Sequence, residues 1–220
     1  MKSTGRGGRI SRPCLLLGLA LLFAACPGPG PTVPQQPLGP DSLAMGANGR
    51  FGFYSLPDET ERDRYVIDWS GGGLDTTDDF RSGDTLWFDH SWPDTGRVGV
   101  RCLALPEAAE PTGWSETHWV TVYNRTPGIP TLLFVPDSTS VGTPTLCGAV
   151  GQDPEGDRVV YDFDWGDGVQ TTTARYASGD TCRQYHTWAD TGGFAVRVRS
   201  LDDYGNWSDY SPPRSLRVFP

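Results

Sequence analysis

The sequence predicts an all-β chain, two tandem sandwich domains behind an N-terminal export signal. Three observations carry this. The N-terminus is basic and then apolar, one unit of sequence is written twice, and apolar residues inside each copy alternate with a period of two. Composition agrees. The 220 residues include 28 Gly and 19 Pro, which is rich in turns, and 11% aromatics, which is too many for a disordered chain. The net charge is −9 and the only lysine is Lys2. Nucleic-acid binders need a basic face, so no nucleic-acid partner is expected.

The export signal comes first in the chain. Lys2, Arg6, Arg9 and Arg12 precede an apolar run from Cys14 to Ala25, and the first acid is Asp41. The run falls short of the ~20 residues of a membrane-spanning helix. A basic start, a short apolar stretch and small residues at its end read as a secretory signal peptide over residues 1–25. Phe23-Ala24-Ala25-Cys26 resembles the lipobox of bacterial lipoproteins, with Phe23 where Leu is usual. That resemblance implies lipidation of Cys26 and a membrane anchor. Ordinary signal cleavage, with Cys26 incidental, is the alternative. Cleavage leaves 14 Arg against 27 acids, a chain that anionic membrane surfaces repel and that only its lipid would hold there. Pro27, rather than Asp, follows the cysteine. By analogy with enteric bacteria, that points to the outer membrane or cell surface.

The duplication has a period of 96. Residues 34–105 match 130–201 at 26 of 72 positions without a gap. Tyr65-x-x-Asp68-Trp69 returns as Tyr161-x-x-Asp164-Trp165, and His90-x-Trp92-x-Asp94-Thr95-Gly96 returns as His186-x-Trp188-x-Asp190-Thr191-Gly192. Two domains follow, over 34–123 and 130–220. Residues 124–129 join them as a short turn-rich linker, and 26–33 form a Pro/Gly tether. Val98, Val100, Cys102 and Ala104 share one parity, and so do Tyr65, Ile67 and Trp69. Tyr161, Phe163 and Trp165 repeat the second set. Such alternation marks half-buried strands, and several short strands in about 90 residues make a sandwich.

The second copy carries Asp153-Pro154-Glu155-Gly156-Asp157, Tyr161-x-Phe163-Asp164-Trp165-Gly166-Asp167-Gly168, His186-x-Trp188 and Asp202-Asp203-Tyr204-Gly205-Asn206 in order. This resembles the PKD domain, an immunoglobulin-like sandwich common on bacterial surfaces. The resemblance implies two tandem immunoglobulin-like β-sandwich domains. The first copy replaces Gly-Asp-Gly by Ser70-Gly71-Gly72, and Pro57-Asp58-Glu59-Thr60-Glu61 has lost the acidic loop. In some PKD-like domains such loops bind Ca²⁺, so Asp153, Asp157, Asp202 and Asp203 are the metal candidates in the second domain. The alternative there is a solvated acidic loop, and no other cofactor is expected. The resemblance also places Cys147 and Cys182 on neighbouring strands with side chains inward. Export makes a disulfide between them the expectation.

The remaining residues read as structure. Asp68 and Asp164 precede Gly-rich turns, where Asp accepts bonds from nearby backbone N–H groups. His90 and His186 hold one place in both copies and read as hydrogen-bonded structural residues. His118 has no counterpart and is expected at the surface. Cys102 is expected as a buried free thiol, and Trp69, Trp92, Trp165 and Trp188 as core. Trp87 lies between Leu86 and Phe88, so it should face outward. It is either a contact point for glycan or protein, or an edge covered by the neighbouring domain. No nucleophile elbow, His-Glu-x-x-His or P-loop pattern occurs. The expected role is therefore a non-enzymatic binding or spacer lipoprotein, meeting envelope protein or polysaccharide at the cell surface. The alternative is an accessory substrate-binding subunit of an envelope or secreted hydrolase.

Overall fold

The computed structural model describes residues 32–56, 62–71, 73–81, 83–107 and 109–220. The signal segment, Cys26 and the 57–61 stretch lie outside the described residues. The regular elements among the described residues are strands. In the first half they are β1 Ser42–Ala44, β2 Gly49–Phe53, β3 Asp63–Asp68, β4 Leu74–Thr76, β5 Leu86–His90, β6 Gly96–Pro106 and β7 His118–Tyr123. In the second half they are β8 Thr131–Phe134, β9 Ser138–Ser140, β10 Thr145–Val150, β11 Val159–Asp164, β12 Gln170–Tyr176, β13 Thr181–His186, β14 Gly192–Leu201 and β15 Arg214–Phe219.

The two halves have one topology. A five-stranded sheet β1-β7-β6-β3-β4 faces the pair β2-β5, and a five-stranded sheet β9-β15-β14-β11-β12 faces β8-β10-β13. In each half the short early strand runs parallel to the last one, β1 with β7 and β9 with β15. The other strand pairings are antiparallel. This is the immunoglobulin-like arrangement, and each half is a β-sandwich of that type.

The period-two pattern explains the cores. Tyr65, Ile67 and Trp69 point inward with Phe51, Phe53, Val100 and Cys102, all buried. Tyr161, Phe163 and Trp165 do the same with Ala149, Val196 and Val198. A shared device closes each core. The His90 ring stacks on Trp69 at 4.2 Å, and His186 stacks on Trp165 at 4.6 Å. The second tryptophan meets the first edge-on, and its indole N–H donates to the carbonyl of Trp69 (3.0 Å from Trp92) or Trp165 (3.4 Å from Trp188). Buried indole N–H groups need such acceptors.

Two expectations are corrected. Cys147 and Cys182 do lie on neighbouring strands, β10 and β13, both fully buried, yet they are free thiols. The register shows why, because Cys147 faces Gln184 while Cys182 faces Ala149. The two share an inward face but are diagonal neighbours, which in an antiparallel pair stand ~7–8 Å apart. A disulfide spans Cα atoms ~4.4–6.8 Å apart, so this offset does not suit one. Burial pushes the Cys147 thiol up to about 11 and the Cys102 thiol up to about 12, which makes both poor nucleophiles. The second correction is His118, whose side chain is only 12% exposed. It packs edge-on against Phe51, and its Nε2 lies 3.1 Å from the Pro40 carbonyl oxygen.

Candidate metal centre

The acidic loops of the second half lie at the end that receives the linker. Both are built alike. In Asp153-Pro-Glu-Gly-Asp157, Asp153 Oδ1 accepts the backbone N–H groups of Glu155 (2.9 Å) and Asp157 (3.1 Å). In Asp202-Asp-Tyr-Gly-Asn206, Asp202 Oδ1 accepts those of Tyr204 (2.9 Å) and Asn206 (2.8 Å). The fourth residue of each loop is a glycine with positive φ, 87° at Gly156 and 88° at Gly205, a turn that other residues adopt only with strain.

The second carboxylate oxygens differ. Asp202 Oδ2 accepts from the side-chain amides of Asn206 (2.9 Å) and Asn124 (2.8 Å), so that carboxylate is saturated. Asp153 Oδ2 is buried without a donor, and so are Glu155 Oε2, Asp157 Oδ2 and the amide oxygen of Asn124. Asp153 is 6% exposed and the Glu155 side chain 2%. A fully buried acceptor left without a donor costs about 1–3 kcal/mol, and Asp153 is the most buried of these residues. The groups also feel one another. Burial raises the Asp157 carboxyl above its ordinary range, and the charges of Asp153, Asp203, Asp202 and Glu155 raise it further. Two cations sit at the rim: Arg125 bonds Glu155 Oε1 at 2.6 Å, and Arg175 pairs with Asp203.

An all-oxygen, carboxylate-rich donor set suits a hard cation such as Ca²⁺. The fit is incomplete as the side chains stand. No set of three or more His, Cys, Asp or Glu groups among the described residues is arranged to hold an ion. Of the four expected acids, Asp153 and Asp157 offer free oxygens, Asp202 is a strut, and Asp203 is turned to Arg175. Two further candidates, Asn124 and Glu155, did not stand out in the sequence. Glu155 lies inside the recognised loop, but nothing in the pattern says that its carboxylate folds inward.

The other singled-out residues lie apart from this centre. Asp68 and Asp164 accept the N–H of the second residue on, Ser70 (2.9 Å) and Gly166 (3.1 Å), and also pair with Arg101 and Arg197. This is the turn chemistry expected of them. His186 Nε2 lies 2.8 Å from Asp167 Oδ2, whereas Nε2 of His90 is buried without a partner. Burial holds His90 below its ordinary value, partly offset by the charge of Asp75. Trp87 is 47% exposed on the outer face of β5, directly opposite Gly52 on β2. A Cβ on Gly52 would meet the Trp87 ring at 3.0 Å. Trp119 likewise lies over its cross-strand partner Gly99, with the Arg97 guanidinium 4.4 Å from the ring centroid. Each of these tryptophans covers a glycine on its sheet, a packing role that the sequence pattern did not disclose.

No protein-family model matches the chain, and no curated protein matches it. Among solved structures it is similar to the PKD domain of an M14-like peptidase from a Thermoplasmatales archaeon. That match has 29% identity and a TM-score of 0.42, and covers 44% of this chain and 100% of the other. It is also similar to a segment of two fibronectin type-III domains from chicken tenascin. There the identity is 11% and the TM-score 0.45, with 84% of this chain and 99% of the other covered. A third neighbour is the human OSCAR ligand-binding domain, with 13% identity, a TM-score of 0.30, and 86% and 98% coverage. The assignment of the class rests on strand order and on the two cores: the chain is all-β, with immunoglobulin-like sandwiches in both halves.

Proposed function

We propose that the chain is an exported, non-enzymatic envelope module, tethered through lipid on Cys26, and that its paired sandwiches serve as a spacer or binding arm. In this reading Ca²⁺ seats at the head of the second sandwich. What supports it is that Asn124, Asp153, Glu155 and Asp157 each keep one buried side-chain oxygen without a donor in this acidic region, although no three acids among the described residues stand ready around an ion. Hard cations take six to eight oxygens, so the acidic side chains would have to turn together and carbonyls and water complete the shell. The non-enzymatic reading is supported by how the tempting bases are used. His90 and His186 are stacked on core tryptophans. Rigid sandwiches with loops at their ends are scaffolds for contact, and envelope protein or polysaccharide is the proposed partner.

Three experiments test this. Calorimetric titration of residues 27–220 with Ca²⁺ should show one site, weakened in Asp157→Asn; no heat at all overturns the cation. Cys26→Ser should move the full-length chain from the membrane to the soluble fraction, and retention there overturns the anchor. Immobilised residues 27–220 should capture an envelope protein or polysaccharide from the source cell, or neither if the arm only spaces. Polysaccharide lost on Trp87→Ala would favour the accessory-subunit role. Turnover of a captured polymer would overturn the non-enzymatic reading.

A further inference from the structure

The two copies diverge at one end of the histidine–tryptophan stack. In the second copy the place beside His186 is filled. Asp167 Oδ2 lies 2.8 Å from His186 Nε2, and Phe194 packs on Trp188 with ring centroids 6.0 Å apart. A carboxylate suits that place. Burial pushes the Asp167 carboxyl up, yet the bonds from His186 and the Val169 N–H outweigh it, and it titrates below its ordinary value. At the offset of the repeat, the first copy has Gly71 for Asp167, Val98 for Phe194 and Arg97 for Gly193. One exchange deletes an acid, one shrinks a ring, and one adds a cation. The first copy holds here a cavity of about 500 Å³, with Gly71, His90, Arg97 and Val98 in its lining. That volume is typical of small-ligand sites. His90 keeps its stack on Trp69, but its buried Nε2 has no partner. The Arg97 guanidinium lies over the Trp119 ring and pairs with no acid among the described residues.

From these exchanges we propose that the cavity of the first sandwich is a binding site for a small organic carboxylate. The ligand takes the place that Asp167 fills in the second copy. His90 Nε2–H donates to its carboxylate, and Arg97 supplies the opposite charge. Because that nitrogen is buried, the Ser70-Gly71 turn, which borders the cavity, gives way for direct contact. Gly71 has no side chain to oppose this. Ser70 is held at φ 53°, a left-handed conformation that a residue with a Cβ does not favour. The rest of the lining narrows the class. Ser70, Ser91 and Thr95 bring hydroxyl groups that can bond those of a hydroxy acid or a sugar acid. Asp94 also lines the cavity and works against any anion. The second copy carries Asp190 at that position and still seats the Asp167 carboxylate beside His186, so this charge does not bar one. The site belongs to the first half alone and depends neither on a cation nor on the membrane anchor.

The test is a titration of ¹⁵N-labelled residues 27–220, which hold both cores, followed by the imidazole nitrogen resonances at constant pH and ionic strength. Acetate, lactate and glucuronate should each shift His90 Nε2 saturably. They should leave His186, whose partner is Asp167, unmoved. Glucose, which has no carboxylate, should shift neither. His90→Phe keeps the flat ring and removes the nitrogen, and Val98→Phe restores the ring of the second copy. Calorimetry at a temperature where each variant is folded should show binding weakened roughly tenfold or more, the worth of one hydrogen bond to a charged group. Binding that survives both substitutions puts the carboxylate elsewhere and overturns the assignment. No shift of His90 with any of the three acids overturns it on the native chain alone, and an equal response to glucose and glucuronate overturns the carboxylate. Tighter binding of glucuronate than of lactate assigns the ligand to acidic sugars, and the reverse order to small hydroxy acids.

Discussion

Asp153→Asn separates a turn residue from a cation ligand. In the native loop, Asp153 Oδ1 accepts two backbone N–H groups, at 2.9 Å and 3.1 Å, and Oδ2 is buried without a donor. Asn keeps an oxygen for the two N–H groups and puts an NH₂ donor where the orphaned oxygen stood, among the acceptors of Glu155 and Asp157. Two terms then oppose each other in the absence of cation. Both N–H bonds lose their charge assistance, at a cost of about 1 kcal/mol each, while one orphaned acceptor worth about 1–3 kcal/mol disappears. The balance leaves the chelator-treated variant within about 1 kcal/mol of the native chain. Calcium breaks the tie. A ligand at roughly 100 times its Kd stabilises by about 2.7 kcal/mol, and only the native chain receives that increment in full. For a domain of this size, 1 kcal/mol is about 4–8 °C in Tm, so the expected calcium-dependent rise is about 10–20 °C. The assay is thermal unfolding of residues 27–220, followed by tryptophan fluorescence, in calcium and in chelator. An equal drop of the variant in both conditions would make Asp153 a turn residue and nothing more, and the ligand argument would fail with it.

Three further predictions follow from the cores. Denatured residues 27–220 should titrate three thiols, Cys102, Cys147 and Cys182, with little reaction while folded; one thiol in denaturant would restore the Cys147–Cys182 bridge. Tyr161→Phe removes the hydroxyl that accepts the buried Gly151 N–H at 2.8 Å, and should cost about 1–3 kcal/mol in urea unfolding. A loss well under that range would mean that water or a shift satisfies Gly151. His90 is held below its ordinary value of 6.5, so on acidification the unfolded chain takes the proton first. The first sandwich should therefore be fully stabilised by this residue above pH 6.5 and lose that stability as the pH falls below it. His90→Phe should flatten the acid limb of the stability curve, and an unchanged limb would show that another group titrates there.

Much of this was legible because the chain repeats. Strands β1 to β7 recur at the same offset as β9 to β15, so a parity read in one copy could be checked in the other. Turn acids such as Asp68 and Asp164 were legible for the same reason. The rest depended on facts that no one-dimensional pattern holds. Cys147 and Cys182 both have apolar counterparts in the first copy, Phe51 and Leu86, but pattern does not distinguish a directly opposed pair from a diagonal one. Trp87 looks like a surface anchor until the register puts Gly52 opposite it. Asn124 looks like linker, and its importance comes from where Asp202 and the 153–157 loop fold in space.

The two copies also act as each other's control. Where the second has Asp167, 2.8 Å from His186, the first has Gly71, and there the buried His90 Nε2 lacks a partner. The stack on the core tryptophan is present in both. The shared requirement at this position is therefore a flat ring on indole, and the contact with Asp167 is made in one copy only. The same trade recurs on the outer sheet face. Asp162 pairs with Arg199 at 3.0 Å, while the register-equivalent Val66 stands opposite Leu103. The exchange is local and not one of total charge, for residues 34–123 hold more acids than 130–220. Buried charge is costly unless something outside the fold compensates it. At Asp162 an arginine does so, and at Asp153, Glu155 and Asp157 the fold supplies too few donors. That deficit, at the end where the two halves join, is the physical argument for a cation there.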